Sequence, residues 1–254
     1  MNNPNSRIRP AKGKLAILLP GMGAVTSTFI AGVELFKKGL GQPVGSLTQL
    51  QAIRLGKRYE NRAPLIKDFV PLAGLSDLVF GGWDLFPDNV YEAAVKAGVL
   101  DKTQLKPVKK ELEAIKPMPA VADSAYIKNL KPTHAKKAKT KWELAQLVIA
   151  DIEAFKKENG CDRVVMLWCG STEILPEPAA CHQDIEAFEE GLKKNHPMIP
   201  PSMIYAYAAI SQGIAYANGA PNLSADVPAL VELADQTGSP ICGKDFKTGQ
   251  TLMK

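Results

Sequence analysis

Apolar runs alternate with amphipathic stretches along the chain, and the first run is the clearest. Residues 15–19 are continuously apolar, which predicts a strand buried on both faces, and Pro20 and Gly21 end it. The Thr-Ser-Thr sequence at 26–28 offers N-caps to a helix that Gly39 ends. A strand, a tight turn and a helix are therefore predicted in this order.

The same alternation continues to the end of the chain. Strands are predicted at 78–80 (stopping at Gly81 and Gly82), 164–168 and 240–242, and helices at 87–97, 142–155, 204–217 and from Ser224 or Asp226 to Gly238. Strands that alternate with helices are typical of a parallel sheet covered on both faces. The sequence therefore predicts an α/β fold with a Rossmann-like, mostly parallel sheet.

Composition narrows the class of protein. With 254 residues, 46% of them hydrophobic and 22% charged, the chain is long enough for one large α/β domain and too apolar for disorder. Its longest apolar stretch, 204–217, is interrupted by polar residues and is shorter than the ~20 residues of a membrane span. The first residues lack the pattern of a secretory signal. We therefore expect a cytoplasmic protein with no membrane partner.

Positive charge is concentrated in one segment. The formal net charge is +5, but residues 96–141 hold twelve lysines and only four acids. Nucleic-acid surfaces favour arginine and interleaved aromatic residues, whereas this segment has no arginine and a single aromatic residue, Tyr126. The lysines are therefore predicted to form a solvated surface, and no nucleic-acid partner is expected.

The cysteines show no pattern of a metal or redox site. Cys161, Cys169, Cys181 and Cys242 form no CxxC pair, and in a reducing cytosol they are predicted to be buried thiols. A zinc site at Cys169, Cys181 and His182 lacks paired ligand spacing, so no metal site is predicted.

The turn after the first strand is the first candidate for chemistry. It lies where dinucleotide-binding folds place a glycine-rich loop and consists of Gly21, Met22, Gly23, Ala24, Val25 and Thr26. Glycine lets the backbone approach a pyrophosphate, whose charge the helix N-terminus attracts. The match is partial because Thr26 replaces the third glycine, and a plain tight turn is the alternative.

A carboxylate for the adenosine ribose is missing from its usual place, about 20 residues beyond the glycines. Residues 39–51 contain no Asp or Glu. Asp84, which follows the apolar residues of the second predicted strand, is placed to take this role. An N-cap of the helix at 87–97 is its alternative function.

Five segments, in this order and at these separations, resemble the myo-inositol-1-phosphate synthase family in its prokaryotic form. They are GMGAVTST, FGGWDLFPDN, the turn Gly170-Ser171-Thr172, NGAPNLSADVPALVELA and GKDFKTGQT. The resemblance covers nearly the whole chain, and the last two segments are its most specific part. It implies an NAD-dependent isomerase that converts D-glucose 6-phosphate to 1D-myo-inositol 3-phosphate for inositol and phospholipid biosynthesis, and a homotetramer.

The resemblance also assigns cofactor contacts. It implies that residues 21–26 hold the pyrophosphate, that Asp84 holds the adenosine ribose, that Ser171, Thr172, Gly219 and Ala220 line the nicotinamide side, and that Asp245 and Thr248 approach the reacting centre. Two structural alternatives stay open: Ser171 and Thr172 can cap a helix, and Asn218-Gly219 is a common turn.

In this family the catalytic lysines lie C-terminal to the GQT segment, whereas this chain ends at Lys254, so no catalytic residue is assigned. We expect residues 1–254 to be the N-terminal, NAD(P)-binding domain of a synthase, with a sheet that is incomplete at the C-terminus and no activity alone. The catalytic and tetramerisation region is expected beyond residue 254. An NAD-dependent dehydrogenase and a catalytically silent NAD-binding or assembly module are the alternatives.

Overall fold

In a computed structural model, residues 12–246 are described and form six strands and ten α-helices. The strands are β1 (Lys14–Pro20), β2 (Leu78–Asp84), β3 (Met118–Pro119), β4 (Cys161–Trp168), β5 (Ala215–Asn218) and β6 (Ile241–Gly243). The helices are α1 (Ala24–Lys37), α2 (Leu47–Leu50), α3 (Ile66–Phe69), α4 (Val90–Ala97), α5 (Lys102–Leu105), α6 (Lys109–Ala114), α7 (Lys141–Glu158), α8 (Ile185–Lys193), α9 (Pro201–Ile210) and α10 (Pro228–Thr237). None of these helices is long and apolar enough to cross a membrane.

The strands form one parallel sheet in the order β3-β2-β1-β4-β5-β6. The chain adds β2 and β3 on one side of β1 and then crosses to the other side for β4, so the direction of winding reverses between β1 and β4. Such a reversal opens a crevice at the carboxyl ends of the strands. The predicted α/β class with a parallel, Rossmann-like sheet is confirmed.

Apolar side chains cover both faces of the sheet. Leu18 belongs to a core formed mainly with α7, α8, α9 and α10, whereas Leu19 belongs to a second core that includes residues of α1, α4, α5 and α6. Neighbouring residues of a strand point to opposite faces, so a strand between two cores must be apolar at every position. This explains the uninterrupted apolar run of β1.

Strand β2 is longer than predicted, because Gly81 and Gly82 lie inside it. A Cβ on Gly82 would lie 2.1 Å from the carbonyl oxygen of Leu19, and a Cβ on Gly81 would lie 2.3 Å from the ring of Phe155. The two glycines therefore permit close packing against β1 and α7 rather than ending the strand. As a result the strand continues to Asp84.

Two predicted helix starts were wrong. Helix α1 begins at Ala24, and the Thr26 hydroxyl donates to the carbonyl of Gly21 (2.6 Å) instead of capping a later helix. Helix α4 begins at Val90 rather than at Pro87. Asn89 caps it, because its side chain accepts from the Glu92 amide (3.0 Å) and the Glu92 carboxylate accepts from the Asn89 amide (3.0 Å).

The predicted helix at 204–217 is instead a helix followed by a strand. Helix α9 ends at Ile210, and a turn containing Gly213, with φ of +69°, leads into β5. Neither Ser224 nor Asp226 caps α10, which starts at Pro228. The Asp226 carboxylate instead accepts from the Ser224 amide (3.0 Å) and pairs with Lys244 (2.7 Å).

The predictions of buried cysteines and of a solvated lysine-rich segment hold only in part. Cys161 and Cys181 are buried, but Cys169 is half-buried and Cys242 is exposed. Among the predicted solvated lysines, Lys136 pairs with Asp151 at 2.5 Å and its side chain is only 7% exposed. Lys141 is also largely buried, and its ammonium group donates to the carbonyls of His196 (3.0 Å) and Ile199 (2.7 Å).

Candidate cofactor-binding site

A cleft lies along the carboxyl edge of the sheet, and residues at or shortly after the ends of all six strands line it. Its volume of about 470 Å³ is within the usual range of small-molecule sites. Ten of the thirteen predicted contacts line it: Gly21, Gly23, Ala24, Val25, Asp84, Ser171, Thr172, Gly219, Ala220 and Asp245. Thr248 lies outside the described residues. The structure therefore brings together segments that are more than 200 residues apart in the sequence.

The glycine turn crosses the floor of this cleft. Gly21 has φ of +92°, and a Cβ there would lie 2.4 Å from the backbone of Gly170, so the close approach of two strand ends requires glycine. Two predicted contacts, Met22 and Thr26, are buried and are not among the residues that line the cleft. The lining part of the turn is therefore shorter than predicted.

Helix α1 points its N-terminus at the cleft. Gly23 and Ala24 line the cleft, and within the described residues no side chain caps the helix. The first N–H groups of a helix have no intrahelical partner, and the helix dipole makes this end positive. The uncapped end of a 14-residue helix in a cleft fits the anionic pyrophosphate of a dinucleotide.

Asp84 is the last residue of β2 and lines the cleft beside the glycine turn. Its Oδ2 accepts from the Met22 amide (2.7 Å) and its Oδ1 from the Phe86 amide (3.0 Å). The N-cap alternative is wrong, since Asn89 caps α4. A carboxylate has about four lone-pair sites, so these two bonds leave acceptor capacity for ribose hydroxyls.

The long separation between the glycine turn and Asp84 has a structural reason. Residues 39–77 form an excursion between α1 and β2, with two short helices, two isolated bridges and no buried residue. Asp84 therefore occupies the end of the second strand, where dinucleotide-binding folds place the acid that binds ribose, although it is far from the glycines in sequence.

Loops after β4 and β5 form the other half of the cleft. Ser171 and Thr172 follow β4 in an irregular segment, so their helix-cap alternative is wrong. The Gly219 amide donates to the carbonyl of Trp168 (3.0 Å), which ties the turn after β5 to the end of β4. The Asp245 amide donates to the carbonyl of Ala220 (3.1 Å) and so brings the last described residues into the same wall.

The sequence pattern did not reveal an apolar wall of the cleft, which the segment between β3 and α7 forms. Its lining residues are Ala120, Val121, Ile127 and Leu130, which lie in an irregular segment without a motif. The Val121 amide donates to the hydroxyl of Tyr205 on α9 (2.9 Å), and this contact joins residues 84 apart. Only the tertiary structure reveals such a wall.

Burial shifts the pKa values of two ionisable groups near the end of β4. Burial raises the pKa of the Cys169 thiol to about 11, so this thiol is neutral at pH 7 and is not an activated nucleophile. Burial also raises the pKa of Glu173 to about 7. Within residues 12–246, no group of three or more His, Cys, Asp or Glu side chains is arranged to hold a metal ion.

Strand order, glycine turn and cleft together define a dinucleotide-binding α/β domain of the doubly wound type. A family model of NAD-binding domains, described as myo-inositol-1-phosphate synthase, matches residues 15–252. The chain belongs to the myo-inositol-1-phosphate synthase family, as its motifs predicted, and NAD is the cofactor that this family implies.

Individual relatives agree with this assignment. The chain is 51% identical to inositol-3-phosphate synthase 1 of Bacteroides thetaiotaomicron over 97% of its own length and 57% of that protein. It is 33% identical to inositol-3-phosphate synthase of Saccharomyces cerevisiae over 95% of its length and 50% of the yeast protein. The crystal structure of inositol-3-phosphate synthase from Caenorhabditis elegans superposes with a TM-score of 0.87 at 28% identity, covering 97% of this chain and 51% of that one. The chain thus spans about half the length of these relatives.

Proposed function

We propose that this chain is the NAD-binding domain of an inositol-3-phosphate synthase, an isomerase that converts D-glucose 6-phosphate to 1D-myo-inositol 3-phosphate. The main support is the cleft, in which an uncapped helix N-terminus, a strand-end carboxylate and two polar loops lie in the order that a dinucleotide needs. The family membership supplies the reaction. Residues 1–254 are proposed to form this domain.

Each end of the cleft would hold one part of NAD. Gly23, Ala24 and Val25 would hold the pyrophosphate at the N-terminus of α1, and Asp84 would accept from the adenosine ribose. The nicotinamide ring would then lie against the opposite wall. This wall is formed by Ser171, Thr172, Gly219, Ala220 and Asp245, and Thr248 follows in the sequence.

Bound NAD would accept a hydride from the sugar and return it within the same turnover. The residues of this chain would bind and orient the two reactants, and the apolar wall at 120–130 would exclude water from the cleft. No group of the described residues is assigned as the proton donor or acceptor of the ring closure. Those groups are proposed to belong to the part of the relatives that this chain does not match.

For the complete protein we propose the assembly and setting of the family, namely a cytoplasmic homotetramer that serves inositol and phospholipid biosynthesis. The excursion at 39–77 is consistent with a further partner surface, because it exposes several large apolar side chains: Leu40, Val44, Leu47, Tyr59 and Phe69. Light scattering of a chimera that joins this chain to the C-terminal remainder of a relative would measure the oligomeric state.

A chimera tests the proposed reaction. This chain would be joined to the C-terminal remainder of the Bacteroides thetaiotaomicron relative, whose matched part is 51% identical. We expect the chimera to form inositol phosphate from glucose 6-phosphate and NAD with no steady change in absorbance at 340 nm, because the hydride is returned. A steady rise at 340 nm would instead support an NAD-dependent dehydrogenase. A folded chimera that binds NAD and shows neither signal would support a silent binding module.

The Asp84 assignment predicts a preference between nucleotides. The carboxylate would bond the adenosine ribose of NAD and repel the 2′-phosphate of NADP, and a hydrogen bond to a charged group contributes about 1.5–3 kcal/mol. We expect Asp84→Asn to lower the ratio of the NADP and NAD dissociation constants at least about tenfold. Titration calorimetry measures both constants.

Loss of the bonds from the Met22 and Phe86 amides to Asp84 would loosen the glycine turn and weaken the binding of NAD and NADP alike. The ratio of the two dissociation constants therefore reports the contact with the ribose. Asp88→Asn is the matched control, since Asp88 pairs with Lys96 on the surface and does not line the cleft. An unchanged ratio in Asp84→Asn would remove Asp84 from the ribose site.

A further inference from the structure

Glu173 is an acid buried beneath the loop that carries Ser171 and Thr172. Only 4% of it is exposed, and its carboxylate meets three donors. Oε1 accepts from the Ser202 amide (3.0 Å), and Oε2 accepts from the Ser202 hydroxyl and from the side-chain amide of Asn222 (3.3 Å). The side chain therefore links the loop after β4 to the start of α9 and to the loop after β5.

The hydrogen bonds continue to the other cleft walls. The Asn222 side chain also donates to the Ser202 hydroxyl (3.0 Å), and the carbonyl of Asn222 accepts from the Asn218 side chain (2.7 Å). Asn218 in turn accepts from the amide of Ala220 (3.0 Å). One buried network thus connects Glu173 to the turn after β5, and hydrogen bonds in such a low-dielectric interior are electrostatically stronger than in water.

We propose that Glu173 is a positioning residue, whose bonds to Ser202 and Asn222 hold the loops after β4 and β5 in the arrangement that binds the nicotinamide end of the dinucleotide. This inference rests on the proposed NAD site. Glu173 does not line the cleft itself and acts through Thr172 and Ala220, which do.

The protonation state of Glu173 affects this arrangement near neutral pH. Burial raises its pKa to about 7. The charge of Asp123 raises this pKa further, whereas the hydrogen bonds from Ser202 and, to a smaller extent, the charge of Lys141 lower it. The titratable groups facing it come from four elements and are Asp123 and Tyr126 after β3, Lys141 on α7, Tyr205 on α9 and Tyr216 on β5. Within the described residues the amide oxygen of Asn222 is buried without a partner, so the network has one unsatisfied acceptor.

The sign of the effect follows from the raised pKa. The ordinary pKa is 4.5 and the folded value is about 7, so the folded arrangement is favoured fully below the ordinary value and loses this advantage as the pH rises through 7. Ionised Glu173 is stabilised by movement of its loop toward water. NAD binding needs the loop in the arrangement that the bonds to Ser202 and Asn222 hold, so the affinity for NAD falls as the pH rises.

The test compares NAD affinity at pH 6 and pH 8 in the wild-type chain and in Glu173→Gln, which keeps the shape and resembles the protonated acid. Complete linkage to a group with a pKa of about 7 would change the affinity about tenfold over this interval. We expect the wild-type dissociation constant to rise about fivefold and that of Glu173→Gln to rise less than about twofold. ADP-ribose, which lacks nicotinamide, should show a smaller rise than NAD in the wild type.

Two further variants complete the test. Glu190→Gln, on the exposed side of α8, is the control and should keep the wild-type rise. Ser202→Ala removes a bond that lowers the pKa of Glu173, so it should move the midpoint of the NAD profile to higher pH. Equal rises in wild type and Glu173→Gln, or an unmoved midpoint in Ser202→Ala, would overturn the role of Glu173 while leaving the NAD site intact. A wild-type chain that binds neither NAD nor ADP-ribose would overturn the proposed function as well.

Discussion

Replacing Gly21 by alanine is expected to destabilise the folded chain by about 3 kcal/mol or more and to remove most of its NAD affinity. The new Cβ would lie 2.4 Å from two backbone atoms of Gly170, and φ of +92° is unfavourable for any residue with a side chain. Backbone on both sides cannot yield as a flexible side chain would. Relief requires the ends of β1 and β4 to separate, and the cleft lies between them.

Gly32→Ala is the matched control, because it adds the same methyl group to the middle of α1 on an exposed position with no atom within 4 Å besides the helix's own backbone and its chain neighbours. We expect it to stabilise the chain by about 0.5–1 kcal/mol and to leave NAD affinity unchanged. Urea unfolding and calorimetric titration measure the two quantities. If Gly21→Ala unfolds at the same urea concentration as the wild type, the close contact between the two strand ends does not exist.

A second large effect is expected in the rate of the reaction. The 254-residue chain, given NAD and glucose 6-phosphate, should form inositol phosphate at least about 10³-fold more slowly than the chimera with the Bacteroides thetaiotaomicron remainder. The proposed hydride transfer and ring closure would each place negative charge on a sugar oxygen. Removing one donor to such an oxygen costs about 10²–10³ in rate.

The comparison isolates the contribution of the part of the relative that this chain does not match, since both proteins contain the same cofactor cleft. Phosphate release from the product by a specific phosphatase, or separation of the inositol phosphate by chromatography, measures the rate. Equal NAD affinity in the two proteins is the control for folding. A rate for the 254-residue chain near that of the chimera would place the catalytic groups within residues 1–254.

Local sequence predicted those parts of the fold that depend on neighbouring residues. The apolar run of β1 predicts a buried strand, and the glycine after α10 predicts a helix end, from only a few neighbouring positions. Gly81 and Gly82 do not, because their role is close packing against β1 and α7, which are distant in sequence. The run at 204–217 was misjudged for a similar reason: a buried helix and a buried strand are both apolar, and only Gly213 marks the boundary between them.

The candidate site followed the same division. Asp84 was predicted from its position at the end of an apolar strand, and the structure places it beside the glycine turn although the excursion at 39–77 separates the two in sequence. Met22 and Thr26 were predicted as contacts from their position in the motif, and the structure buries both under the turn. Glu173 carries no motif, and its role depends on a serine and an asparagine that only the tertiary structure brings near.

The most direct test of the NAD site is a crystal structure of the chain or the chimera with NAD. We expect the adenosine ribose hydroxyls within hydrogen-bond distance of Asp84, the pyrophosphate over Gly23, Ala24 and Val25, and the nicotinamide ring between the loops of Thr172 and Ala220. NAD bound away from this cleft, or bound with its adenosine and nicotinamide ends exchanged, would contradict this placement.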